Sequence, residues 1–193
     1  MSPGRIVTAG IVGGVVMFIW GALSHMALGI GDMGMKSLPG EDVVMPAMKS
    51  SISERGFYMF PAMDENDTSE AAMKAWEEKY KQGPRGIVVF DPQGGEAMSP
   101  MQLGTELASN IVAALFAAII LARIGTSRFG RTMMGTAIGL VAWLSIDASY
   151  WNWYRFPDLF TMSQLIDQTA GWFLTGGTIA LVLPKPGVSK AFG

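Results

Sequence analysis

Few side chains in this sequence can do chemistry in an apolar setting. There is one histidine, His25, and no cysteine. Three carboxylates, Glu106, Asp147 and Asp167, fall within long apolar runs, and Arg155 follows the second of them. An ionisable group inside hydrocarbon is costly enough to mark a functional site by default. Together with Asn110, these groups can hold a cation, relay a proton or bind a polar headgroup, because neighbouring carboxylates raise one another's affinity for protons. The competing arrangement is a closed structural network, with Glu106 against His25, Asp147 against Arg155 and Asp167 against amides. Other chemistries are excluded by composition. Without cysteine there are no disulfides, thiolate zinc sites, iron–sulfur ligands or cysteine nucleophiles. A single histidine excludes bis-histidine haem and multi-histidine copper or zinc sites within one chain.

No catalytic residue is nominated. The chain has no G-x-S-x-G elbow, H-E-x-x-H pair, P-loop or dinucleotide-binding glycine pattern. A membrane enzyme would need a nucleophile such as Ser24 or Ser163 within hydrogen-bond reach of a carboxylate or His25. Met33, Met35, Met45, Met48, Met59 and Met63 crowd one region, and thioethers are soft copper ligands. Their spacing is irregular, so they read as packing residues. No metal and no cofactor is expected. A net charge of −2 without a polybasic run excludes nucleic acid as a partner.

The elements that carry these residues are mostly apolar helices. Half of the 193 residues are hydrophobic, 16% are charged, and the mean hydropathy is +0.31. That is too oily for a soluble domain with a polar shell. The first span covers about 6–28, within a segment 1–28. It is long for the apolar part of a secretory signal, so Ala22-Leu23-Ser24 reads as part of a retained anchor more than as a cleavage site. Gly10, Gly13, Gly14 and Gly21 offer small faces for close helix approach, inside the protein more readily than between copies.

Residues 29–98 change character and form an extramembrane α+β insert. It holds a short helix over Glu41 to Ser51 despite Pro46, strands at Gly56 to Pro61 and Gly86 to Pro92, and a helix over Glu70 to Gln82 capped by Thr68 or Ser69. Two paired strands are marginal alone, so they must lean on a helix, the membrane surface or a partner. From residue 99 to 193 three more spans follow. Ser99-Pro100-Met101-Gln102 combines an N-cap, a first-turn proline and a capping box, so a helix starts at Pro100 and reaches about 122. Gln102, Glu106 and Asn110 then share one stripe. The other spans cover about 132–150 and 161–183, the last opened by Thr161-Met162-Ser163-Gln164 and stopped by Pro184 and Pro186. Trp151, Trp153 and Tyr154 lie in a turn where aromatic rings favour the membrane interface.

The expected architecture is an all-α transmembrane four-helix bundle with a small α+β insert between helices 1 and 2. Arg5, the Arg123 to Arg131 loop, Lys185 and Lys190 place both termini, including the C-terminal tail, in the cytoplasm and residues 29–98 in the periplasm. This topology brings His25, Glu106, Asp147 and Asp167 to one depth, in the outer part of the membrane.

Several motifs carry a resemblance that covers the whole chain. They are Trp20-Gly21-x-x-Ser24-His25, Leu38-Pro39-x-Glu41, Gly56-Phe57-Tyr58-x-Phe60-Pro61, Met98-Ser99-Pro100-x-Gln102-Leu103-Gly104-x-Glu106-Leu107 and Tyr150-Trp151-Asn152-Trp153-Tyr154-x-Phe156-Pro157. In these the chain resembles a family of small, uncharacterised bacterial four-helix inner-membrane proteins with no known activity. The resemblance implies a bacterial inner-membrane origin and transfers no residue roles. The expected function is non-catalytic, an accessory or scaffolding subunit of a larger inner-membrane complex, in contact with membrane lipid and with a membrane-protein partner or a second copy. The alternative is a ligand-, lipid- or cation-binding or transport protein using an outward-facing polar pocket.

Overall fold

Helix α1 runs from Pro3 to Ala22 in the computed structural model, which describes residues 2–185. Pro186, Lys190 and the rest of the C-terminal tail, which entered the expectations for topology, lie outside the described residues. At Leu23–Ala27 the helix widens into a π-helical turn, closed by the amide of Leu28 donating to the carbonyl of Leu23 at 2.9 Å. One added residue per turn redirects the side chains, and such turns recur where a side chain must be aimed. The chain then folds back, the amide of Ile30 donating to the carbonyl of Ser24 at 2.9 Å.

The chain divides into two compact units, one holding the residues up to Met35 and from Met98 onward, the other Lys36–Ala97. The smaller unit contains α2 (Glu41–Ser51), β1 (Gly56–Phe60), α3 (Glu70–Gln82) and β2 (Gly86–Phe90). The strands pair antiparallel, with Gly56 opposite Phe90 and Phe60 opposite Gly86. Ser69 caps α3 by accepting from the amide of Ala72. Trp76 on α3 donates to the carbonyl of Pro61 at 3.0 Å, which ties the helix to the end of β1. This is the support that a bare two-stranded sheet requires.

The larger unit adds α4 (Pro100–Arg123), α5 (Arg128–Ser145), α6 (Asp147–Tyr154) and α7 (Asp158–Val182). The capping box at Ser99 and Gln102 is formed in both directions. Several boundaries differ from expectation. Helix α5 begins at Arg128, capped by Ser127, ahead of the expected 132, and the span expected to reach 150 breaks at Ile146. The aromatic stretch is helical as far as Tyr154, so the turn is confined to Arg155–Pro157, with Arg155 in the left-handed region at φ 62°. Helix α7 starts at Asp158, one turn before the anticipated box, because Pro157 opens it and the hydroxyl of Thr161 donates back to the carbonyl of Pro157.

The long helices pack in the order α4, α1, α7, α5. Small residues set the spacing. A Cβ on Gly10 would stand 2.7 Å from the Cα of Leu115, and Gly14 meets the backbone of Ile111 one turn on. Across α5 and α7, a Cβ on Gly135 would stand 2.6 Å from the Cα of Gly176. Gly21 faces open space. Of the five α1 glycines, Gly10, Gly13 and Gly14 are buried by this chain's own helices, the close packing that helices use where lipid removes the hydrophobic drive.

Among the described residues three helices are long and apolar enough to cross a membrane: Pro3–Ala27, Pro100–Arg123 and Arg128–Tyr154. The expected fourth span falls in α7, which is less apolar because Gln164, Asp167, Gln168 and several Thr and Gly residues interrupt it. It lies between α1 and α5 and buries Thr161, Ser163, Gly171, Trp172, Thr175, Gly176, Ile179 and Ala180.

Candidate functional site

The two ends of the helical unit differ. At one end Ala9, Ala117, Ala118, Leu121, Ile179 and Leu183 close into an apolar core, which Trp172 extends toward the other end. Toward the other end the helices part around a cavity of about 610 Å³. Its wall comes from the last turns of α1 and the π-helical turn (Met17, Phe18, Trp20, His25, Met26), the first turns of α4 (Leu103, Glu106, Asn110), the middle of α7 (Gln164, Asp167, Gln168, Trp172) and Ala142 of α5. Glu106 and Asn110 reach it together because four residues is about one helical turn. Gln164, Asp167 and Gln168 do so by the same spacing.

The polar groups of the wall are only partly paired with one another. His25 Nδ1 lies 2.9 Å from a carboxylate oxygen of Asp32. The intervening Gly31 has no side chain, and its backbone lies so close to the imidazole that a Cβ there would collide with the ring. The carbonyl of Gly31 accepts from the Gln164 amide at 3.2 Å, joining this fold-back to α7. Asn110 donates to Glu106 at 3.1 Å, and Trp20 donates to the backbone carbonyl of Asp167 at 3.1 Å. Asp167 Oδ1 is buried and has no hydrogen-bond partner among the described residues. Glu106 therefore pairs with Asn110 in place of His25, and Asp167 is not closed off by amides.

His25, Glu106, Asn110 and Asp167 share the wall, while Asp147 and Arg155 do not. The cavity-facing residue of α5 is Ala142, and a position five residues on sits about 140° round a helix. Helix α5 also ends at Ser145, whose hydroxyl donates to the carbonyls of Val141 and Ala142, and Asp147 begins a new helix. No ion pair joins Asp147 to Arg155 among the described residues. Of the interface aromatics, Trp151 and Trp153 are exposed, and Trp151 donates to Asp158 at 2.7 Å, bracing the α6–α7 turn. Tyr154 is half-buried and stacks with Tyr150.

Asp32 was missed from sequence because it lies in a loop outside any apolar run. The signal was its seven-residue distance from His25 with two glycines between. Trp20 and Trp172, which form apolar wall, were read only as span residues.

Chemically the wall is acidic and apolar, with no Lys or Arg in it. The described residues contain no group of three or more His, Asp or Glu able to hold a metal ion. Neither candidate nucleophile is activated. Ser24 Oγ is buried without a partner among the described residues, and Ser163 donates to the carbonyl of Phe160 at 2.7 Å. Comparison with protein-family models, curated proteins and solved structures finds no match to this chain.

Proposed function

We propose that this chain is a non-catalytic bacterial inner-membrane protein that binds an amphiphile bearing a cationic or donor-rich head. The head lies against Asp167 and Glu106, and the apolar body lies along Met17, Phe18, Trp20 and Trp172. One observation carries this reading: Asp167, which lines a cavity of about 610 Å³, has a buried carboxylate oxygen without a partner among the described residues. A buried acceptor left unmade costs about 1–3 kcal/mol, more when charged, which a donor from a ligand would recover. In this reading α7 is the fourth span, shielded by its neighbours from lipid. The basic Arg123 to Arg131 loop and both termini face the cytoplasm, and residues 29–98 face the periplasm.

The test is a titration of the protein in neutral-detergent micelles with dodecylammonium and with dodecyl sulfate, followed by tryptophan emission. Dodecylammonium is expected to give a saturable change that weakens about tenfold in Asp167→Asn, in line with loss of one charge-assisted hydrogen bond. An identical response from both proteins, or a preference for the sulfate, sinks the reading.

The accessory-subunit reading is favoured by a different observation. Met59 and Val89 are exposed on the two-stranded sheet, Val89 at 76%, and in this register they lie on one face as diagonal neighbours. Gentle-detergent purification would then yield a companion protein that Val89→Lys releases; a monomer that retains nothing in either form counts against it.

A further inference from the structure

A second cavity, of about 420 Å³, lies at the opposite end of the helical unit, lined by Gly125, Thr126, Ser127, Arg128 and Lys185. Two cationic side chains from separate segments meet there, Arg128 at the start of α5 and Lys185 beyond the end of α7. Neither makes an ion pair among the described residues. Their meeting is built into the fold. Arg131, one turn after Arg128, donates from Nη1 to the carbonyl of Pro184 at 2.7 Å and so fixes the residue that precedes Lys185.

Arg131 itself is the largest fully buried side chain, 1% exposed, and its Nε has no partner among the described residues. A buried guanidinium without a counter-charge is strongly disfavoured. Residues 1–31, 107–146 and 168–193 contain no Asp or Glu side chain. The described parts of those stretches supply the start of α1, the α4–α5 connection and the end of α7, so this end carries Arg5, Arg123, Arg128, Arg131 and Lys185 with no carboxylate side chain among them. Among the described residues no carboxylate pairs with Arg131, which leaves room for an anion from the membrane or from solution.

From this we infer that the Arg128–Lys185 cavity binds a phosphate group. Arg128 presents a planar fork that matches phosphate oxygens, Lys185 a point charge, and the hydroxyls of Thr126 and Ser127 further donors. The bound anion lies one helical turn from Arg131 and offsets its buried charge. A phosphate could arrive on an anionic lipid headgroup or free from solution, and the chemistry of the site is the same for both. This site is independent of the His25–Asp167 cavity in residues and in sign of charge.

The experiment is native mass spectrometry of the intact protein released from nanodiscs of phosphatidylglycerol and phosphatidylcholine with matched acyl chains. Retained phosphatidylglycerol should exceed phosphatidylcholine. It should fall about fivefold in Arg128→Gln and again in the Arg128→Gln/Lys185→Gln double variant, the size expected for one basic contact each. Arg123→Gln, which leaves the cavity wall intact, should change retention little. Displacement of the lipid by millimolar inorganic phosphate supports the site and names free phosphate as a competing occupant; failure to displace it supports the lipid headgroup. Equal retention of the two lipids, or unchanged retention in the double variant while its thermal unfolding matches the parent, overturns the inference.

Discussion

The Arg131 end and the His25 end of the helical unit are built from the same helices and solve opposite problems. At the Arg131 end, glycine and alanine let the backbones touch, and the one large polar side chain is enclosed. At the His25 end, Met17, Phe18 and Trp20 line a cavity together with the polar groups, and Trp172 belongs both to this wall and to the apolar core. The charges separate likewise, cations at the first end and carboxylates at the second. Side-chain size decides where a bundle closes, and closure decides which polar groups face a cavity.

The largest effect that could break this contrast is expected from Gly135→Leu. The added atoms meet the backbone of Gly176, so α5 and α7 must separate, at a cost of about 3 kcal/mol or more. Thermal unfolding in detergent would show it as a large fall in Tm. Gly21→Ala, in open space at the cavity end, should leave Tm unchanged or raise it by the equivalent of up to about 1 kcal/mol. Equal losses in the two variants would mean that the ends are packed alike.

A smaller effect sharpens the description of the cavity end. Trp20→Phe keeps the apolar wall and removes the donor to the carbonyl of Asp167, at a cost of about 1 kcal/mol. Denaturant titration should resolve it; no change would mean that this bond does not brace the wall.

The smallest effect belongs to the insert, which serves as a reference outside both ends. Asp67 accepts from the amide of Ser69, and hydrogen bonds with Ser69 hold its carboxyl below the usual value. A carboxyl lowered by folding contributes stability above its unfolded value, and that contribution fades as pH falls through the folded value. In Asp67→Asn, the acid-side melting of α3, followed by circular dichroism, should lose part of its pH dependence. A profile superposable on that of the parent would show that this capping turn contributes nothing.

Much of the secondary structure was legible locally. Ser99-Pro100-Met101-Gln102 carries every atom its capping box uses, and α2, α3 and both strands begin where their turn residues place them. The start of α7 was misplaced because Thr161 to Gln164 satisfies the same pattern while Pro157 opens a helix one turn earlier. The break at Ile146 had no sequence signal, since neither glycine nor proline lies near it.

What the sequence by itself determined is which residues are costly in an apolar setting: His25, Glu106, Asp167 and Asp147 follow from composition and hydropathy alone. The tertiary structure decided which of them share a wall. The break at Ile146 put Asp147 at the start of a new helix, off the wall, the π-helical turn and Gly31 brought His25 to Asp32, and glycine contacts along α1 and α5 closed one end while Asp167 Oδ1 stayed unpaired at the other. The reason is geometric. The cost of a charge depends on its own environment and can be read one residue at a time, whereas pairing depends on rotations and separations that sum over whole helices.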